Sequence, residues 1–271
     1  MSDLARNGVT PGRILVAEDN PVSGRVVIAM LQHLGFHVDV VRDGAAAVSA
    51  ATLTRYDAVL MNCRIPLMDG CRATASIRSL SGPTADTPII ALTAATESGD
   101  EQRCLDAGMN GYLAKPYMLA GPALARWATV RSADVPVGTS VGNEGVSPSQ
   151  SLTIAPMRAP GLDPSVVVRL QRLGHETGED LMEQLAELFR NQATSELESI
   201  RLALAAGDIR AAQQTAHSLG GASANLGASE LAKLCWELAS SDLSTDTEAL
   251  LASIGAEMLR VHSELDGWAS A

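Results

Sequence analysis

The chain has 271 residues, enough for two ordinary domains, and its 46% hydrophobic and 19% charged composition suits globular cores; aromatics are only 3%, so those cores must be built from Ala, Leu, Val and Ile. No apolar run approaches the ~20 residues that span a bilayer, and residues 1–10 lack the apolar stretch of a secretory signal, so the sequence reads as cytoplasmic with no membrane segment. Net charge is −11, and residues 161–271, with 17 acidic and 7 basic side chains, carry −10 of it; such a surface repels phosphate backbones and argues against nucleic acid as a partner.

In chain order, short Val- and Ile-rich runs at 14–17, 38–41, 58–61, 89–93 and 112–114 predict strands. Helical patterns at 21–34, 45–53, 72–79, 98–107 and 119–127 alternate with them. Such alternation predicts an α/β fold, a doubly wound five-stranded parallel sheet covered on both faces, over residues 1–127. Residues 128–160, rich in Ser, Gly, Pro, Thr and Val, predict a flexible linker with an end-to-end reach of about 30 Å, which lets the flanking domains move independently and interact weakly. Residues 161–271 read as helical throughout. Ile209, Ala212, Ala216, Leu219, Ser223 and Leu226 form one 3-4 seam, and Leu251, Ile254, Met258, Val261, Leu265 and Trp268 another. Leu181, Leu185 and Leu188, with Leu231, Leu234 and Leu238, mark two more helices, so this part is an all-α four-helix bundle, entered by a short extra helix that starts at Asp163-Pro164.

Ligands of open parallel sheets bind beyond the carboxyl ends of the strands. Glu18 and Asp19, Asn62, Thr93 and Lys115 follow four of the apolar runs and should converge there. Two carboxylates and an amide oxygen suit a hard cation such as Mg²⁺, and a hydroxyl and an ammonium suit phosphoryl oxygens. The stretches VAEDN, LMNCRIPLMDG, ALTA and AKP resemble the response-regulator receiver family of two-component signalling. The resemblance implies a flavodoxin-like fold, Mg²⁺ held by Glu18, Asp19 and the residue at 62, contacts to the phosphoryl group from Thr93 and Lys115, a switch role for Tyr112, and a Lys115-Pro116 bond of a kind often cis in this family. The family's phosphate-accepting Asp falls at position 62, where this chain has Asn62. A neutral amide is no nucleophile towards phosphorus, and one lost charge weakens the metal site. Asn62 fits either a natural pseudo-receiver that works by binding or an engineered Asp→Asn change that silences a working one.

His217 lies about 100° off the seam of its helix, which would turn it to solvent, with Gln213, Gln214, Gly220, Gly221 and Ala224 on the same face. Two mid-helix glycines, each costing about 1 kcal/mol relative to Ala, point to close approach by another surface. An accessible imidazole can accept a phosphoryl group at neutral pH and release it. The segment AHSLGGASANLGASELAKLCWELA resembles the histidine phosphotransfer (Hpt) family. That implies a phosphohistidine at His217 and clearance for a partner receiver at Gly221, but the family's Lys is replaced by Gly220. His33, His37, His175 and His262 read as structural, with His175 placed before a helix start. Cys63, Cys71, Cys104 and Cys235 show no metal-ligand spacing and read as buried thiols.

With no kinase ATP-binding motif, the chain is expected to be a phosphotransfer intermediate rather than a turnover enzyme. Its partners would be a sensor histidine kinase or separate receiver proteins, and the Asn62 domain would serve for regulation or docking. The competing reading is a non-catalytic module that sequesters a kinase or receiver.

Overall fold

A computed structural model describes residues 12–94, 100–117, 161–241 and 247–269. The expected helix over 119–127 and the linker over 128–160 lie outside them. The N-terminal part runs β1 (Arg13–Ala17), α1 (Pro21–His33), β2 (His37–Val41), α2 (Gly44–Leu53), β3 (Ala58–Asn62), α3 (Gly70–Arg78), β4 (Ile89–Ala94), α4 (Asp100–Asp106) and β5 (Gly111–Lys115). The strands pair in parallel in the order β2-β1-β3-β4-β5. The order reverses between β1 and β3, so the residues after these two strands share one crevice. Alternate strand residues pack to opposite faces. Ile14, Val16, Leu60, Ile90, Leu92 and Leu113 join the α1 side, whereas Leu15, Ala17, Val59, Met61, Ile89 and Ala91 join the side holding α2, α3 and α4.

The C-terminal part is α5 (Pro164–Thr177), α6 (Leu181–Ala205), α7 (Ile209–Asn225), α8 (Ser229–Ser240) and α9 (Thr247–Ala269). Acidic residues start three of these helices: Asp163 accepts from Ser165 N, Asp180 from Glu183 N and Asp208 from Ala211 N. α6 to α9 form the bundle, filled by Leu185, Phe189, Ile200, Leu219, Leu231, Ile254 and Val261. The expected seam begins at Ala212 and not at Ile209, which is exposed. Glu264 on α9 accepts from the amides of Gly161 and Leu162 and so pins the entry of the bundle. The extra helix α5 runs fourteen residues, and His175 sits in its last turn, ahead of the start of α6.

The two parts do not stand apart. One apolar cluster runs from Val22, Val26, Met30 and Leu31 of α1, with Tyr117, to Val166, Val167 and Leu170 of α5 and on into the bundle. α1 packs against α5, α6 and α7, and β5 touches α7. Arg25 pairs with Glu179 and donates to Gln184 at 2.9 Å, and His33 lies 3.4 Å from Glu176. The weak interaction expected from linker composition is therefore corrected: a linker sets how far domains can separate, whereas shared apolar burial decides whether they do. Truncating Phe189 to Ala in the bundle centre removes the largest fully buried ring there and should cost about 3–5 kcal/mol in chemical denaturation.

Candidate functional site

Glu18, Asp19, Asn62, Thr93 and Lys115 converge at the carboxyl end of the sheet. Glu18 is 2% exposed and is surrounded by donors. Its Oε1 accepts from Asn62 Nδ2 at 2.8 Å and from Asn20 N at 3.2 Å. Its Oε2 accepts from the Tyr117 hydroxyl at 3.2 Å and lies 3.5 Å from Lys115 Nζ. Asn62 Nδ2 also reaches Asp19 Oδ1 at 3.3 Å, and Asn62 Oδ1 accepts from Arg64 N at 3.1 Å. The amide at 62 thus bridges the two carboxylates as a donor. Burial, then the neighbouring Glu18 charge, push the Asp19 carboxyl up to about 7, against the pull of Lys115. Burial, then the same Glu18, raise the Tyr117 phenol well above its ordinary value. Thr93 is buried at the end of β4, Tyr112 is half-buried on β5, and the Lys115-Pro116 peptide is cis.

The chemistry of this donor set fits a hard dication through two carboxylates, because crowded anions gain most from added positive charge. Asn62 as placed points its amide nitrogen, not its oxygen, at the pair. Among the described residues no group of three or more His, Cys, Asp or Glu is arranged to hold a metal ion.

His217 is 9% exposed, not solvent-facing as the geometry of the bundle alone predicts. The α7 surface beside it meets the first domain. Asn20 Nδ2 donates to Ser218 O at 3.2 Å and to Ser218 Oγ at 3.1 Å. Asn225 Nδ2 donates to Ser23 Oγ at 3.0 Å, and Asn225 Oδ1 accepts from Tyr117 N at 3.0 Å. A Cβ at Gly221, one turn from His217, would stand 2.7 Å from Lys115 Nζ. Gly221 therefore clears room for the receiver-like domain of the same chain. Gly220 does something else: a Cβ there would stand 2.5 Å from Trp236 Nε1, so this glycine faces α8 inside the bundle. Of the other expected docking residues, Ala224 is buried, Gln214 is exposed, and half-buried Gln213 donates to Ser241 O at 2.9 Å.

Sequence reasoning missed Asn20, Ser23, Tyr117, Ser218 and Asn225, which join the parts, and Glu196. Glu196 Oε1 accepts from Ser218 Oγ and from Gln192 Nε2, both at 2.9 Å, while its Oε2 is buried without a hydrogen-bond partner. Burial pushes its carboxyl up to about 6. Glu196 gave no signal in the sequence, because Ser218 lies on another helix and Gln192, one turn back on α6, is an ordinary neighbour of any exposed helix face.

The model of the response regulator receiver domain matches residues 14–121, and that of the Hpt domain matches residues 184–269. The chain therefore joins a two-component receiver domain to an Hpt domain. It is 28% identical over 260 residues to the sensor protein GacS of Pseudomonas syringae pv. syringae, covering 93% of this chain and 27% of that one. It is 37% identical over 103 residues to the signal transduction histidine-protein kinase BarA of Escherichia coli K12, covering 38% of this chain and 11% of that protein. The chain thus spans about a quarter or less of these curated relatives. Among solved structures, the receiver domain of a sensor histidine kinase of Pseudomonas aeruginosa PAO1, described with magnesium coordinated in its active site cleft, is 47% identical over 45% of this chain and 100% of that one, with a TM-score of 0.41. No described helix is long and apolar enough to cross a membrane.

Two outcomes follow from this packing. Gly220→Ala should lose about 1–3 kcal/mol by overpacking against the indole, and pairing it with Trp236→Leu should recover most of that loss in a double-mutant cycle. Glu196 has a folded pKa above its ordinary value of 4.5, so its native form prefers the proton. Its ionisation costs stability that accrues as pH rises from about 4.5 to 6 and stays in full above that. Glu196→Gln should therefore stabilise the chain by about 2 kcal/mol at pH 7.5, a gain that disappears near pH 4 in denaturant titrations.

Proposed function

We propose that this chain is a phosphorelay intermediate in which His217 accepts a phosphoryl group from the receiver aspartate of another protein and passes it on, while its own Asn62 receiver docks over the histidine-bearing face and regulates access. The observation that carries this reading is the pairing of Asn20, Ser23 and Tyr117 with Ser218 and Asn225, which sets an acceptor-less receiver on the α7 surface beside His217.

The roles follow from chemistry. An imidazole nitrogen attacks phosphorus, and the aspartyl carboxylate of the donor leaves. Gly221 gives the incoming receiver close approach, and Gln213, Gln214, Gly220 and Ala224 would frame or support that surface. Without the family's Lys at 220, positive charge beside His217 must come from the docked receiver, where Lys115 already stands over Gly221. In the Asn62 domain Glu18 and Asp19 would hold Mg²⁺ weakly. That ion would supply charge neutralisation for two crowded carboxylates. Thr93 and Tyr112 keep the positions of a switch that no phosphoryl group on residue 62 can drive. The partners would be a sensor histidine kinase and separate receivers, met in the cytoplasm, a compartment that suits cysteines held as thiols.

A pure binding module is the second reading, favoured by Asn62 itself and by the low exposure of His217. Peptide mapping after incubation with phosphoramidate and Mg²⁺, or with a phosphorylated receiver, separates the two. The relay reading expects an acid-labile, base-stable phosphate on the His217 peptide, none on the Asn62 peptide, and complete loss in His217→Gln. An unmodified His217 peptide with either donor would establish the binding module instead.

A further inference from the structure

Three of the four cysteines meet on the sheet face opposite α1. Cys63 directly follows Asn62 at the end of β3, Cys71 opens the first turn of α3, and Cys104 lies on α4. Cys63 Sγ and Cys104 Sγ are 2.8 Å apart, and both residues are almost wholly buried, at 2% and 1% exposure. Cys71 is half-buried and packs against the apolar cluster that holds both, and Arg103, whose charge acts on its thiol, is exposed. All four cysteines of the chain are thiols. Thiols at this separation, on three separate elements, with one of them reaching solvent, form a set with an entry point and a buried pair behind it.

The geometry points to a redox-active thiol relay in the receiver domain, in which Cys71 reacts with a peroxide and the oxidation comes to rest as a Cys63–Cys104 disulfide that ties α4 to the end of β3. Hydrogen bonds from the other two thiols, then the Arg103 charge, hold the Cys71 thiol far below its ordinary range, which is the state that attacks. Its thiolate takes one oxygen from hydrogen peroxide: an S–O bond forms, the O–O bond breaks, and hydroxide leaves, to be protonated by the thiol that reacts next. Cys104 sulfur then displaces hydroxide from the Cys71 sulfenic acid, which leaves as water as the first disulfide forms. Cys63 sulfur attacks Cys104, and Cys71 departs as the thiolate, the best leaving group of the three. Two thiols have lost two electrons and two protons, and one peroxide has become two waters.

This inference does not depend on the phosphorelay reading. It gives a receiver that lacks a phosphorylatable Asp a different covalent input, one residue from position 62.

The test treats the full chain with hydrogen peroxide, blocks remaining thiols by alkylation, and maps the peptides. Two thiols should disappear, a Cys63–Cys104 cross-linked peptide should form, dithiothreitol should reverse it, and Cys235 should stay alkylatable throughout. Cys71→Ser should slow the cross-link at least tenfold with peroxide while leaving it accessible to diamide, which needs no sulfenic acid. Irreversible sulfinic or sulfonic acid on Cys71 without a cross-link, a cross-link ending on Cys71, or four unmodified thiols at millimolar peroxide would each overturn the proposal. Because the wild-type chain carries the main readout, failure of a variant to fold leaves the test intact.

Discussion

A carboxylate at 2% exposure has to be surrounded by donors, and Glu18 dictates much of what surrounds it. Asn62, Lys115, Tyr117 and the Asn20 amide all turn towards it. Two of these groups have a second function at the domain boundary. Asn20, positioned by Glu18 through its own amide, caps α1 with its side-chain oxygen and gives its side-chain nitrogen to Ser218. Tyr117, positioned through its hydroxyl, gives its backbone amide to Asn225. The buried charge of the first domain is thereby wired to the histidine helix of the second through two hydrogen-bonding residues.

Asn62 fits this arrangement better than an aspartate would without a cation. Its amide nitrogen supplies hydrogen bonds to both Glu18 and Asp19, where a third carboxylate would add repulsion to a pair in which burial, then the Glu18 charge, already lifts the Asp19 pKa to about 7. In the proposed function the same substitution removes the acceptor, so the site that would receive a phosphoryl group becomes a fixed structural centre for docking.

Much of this was legible in the sequence and some was not. The five strands and the convergence of Glu18, Asp19, Asn62, Thr93 and Lys115 were readable because a parallel strand is a short apolar run and its C-terminal neighbour must lie at the same sheet edge. The helix seams of the bundle were readable for the same reason of periodicity. The docking was not read, because linker composition says nothing about the surfaces it connects. A signal did exist: α1 buries Val22, Val26, Val27, Ala29, Met30 and Leu31, a wider apolar face than packing on one sheet requires, and α5 presents Val166, Val167 and Leu170 without a place in a four-helix bundle. His217 was assigned to solvent because only its own bundle was considered. The role of Gly220 was misjudged because sequence spacing cannot tell a glycine facing a partner from one facing Trp236. The thiol set was invisible because its members come together only through the sheet topology.

The central claim is that the docked receiver limits access to His217. It is tested most directly by the rate at which a separately purified phosphorylated receiver hands its phosphoryl group to the intact chain, compared with the Asn20→Ala/Asn225→Ala double variant, which loses the hydrogen bonds that join the parts. The account predicts that the double variant accepts phosphoryl groups at least tenfold faster at equal donor concentration. Equal rates in the two proteins, with both correctly folded, would contradict it.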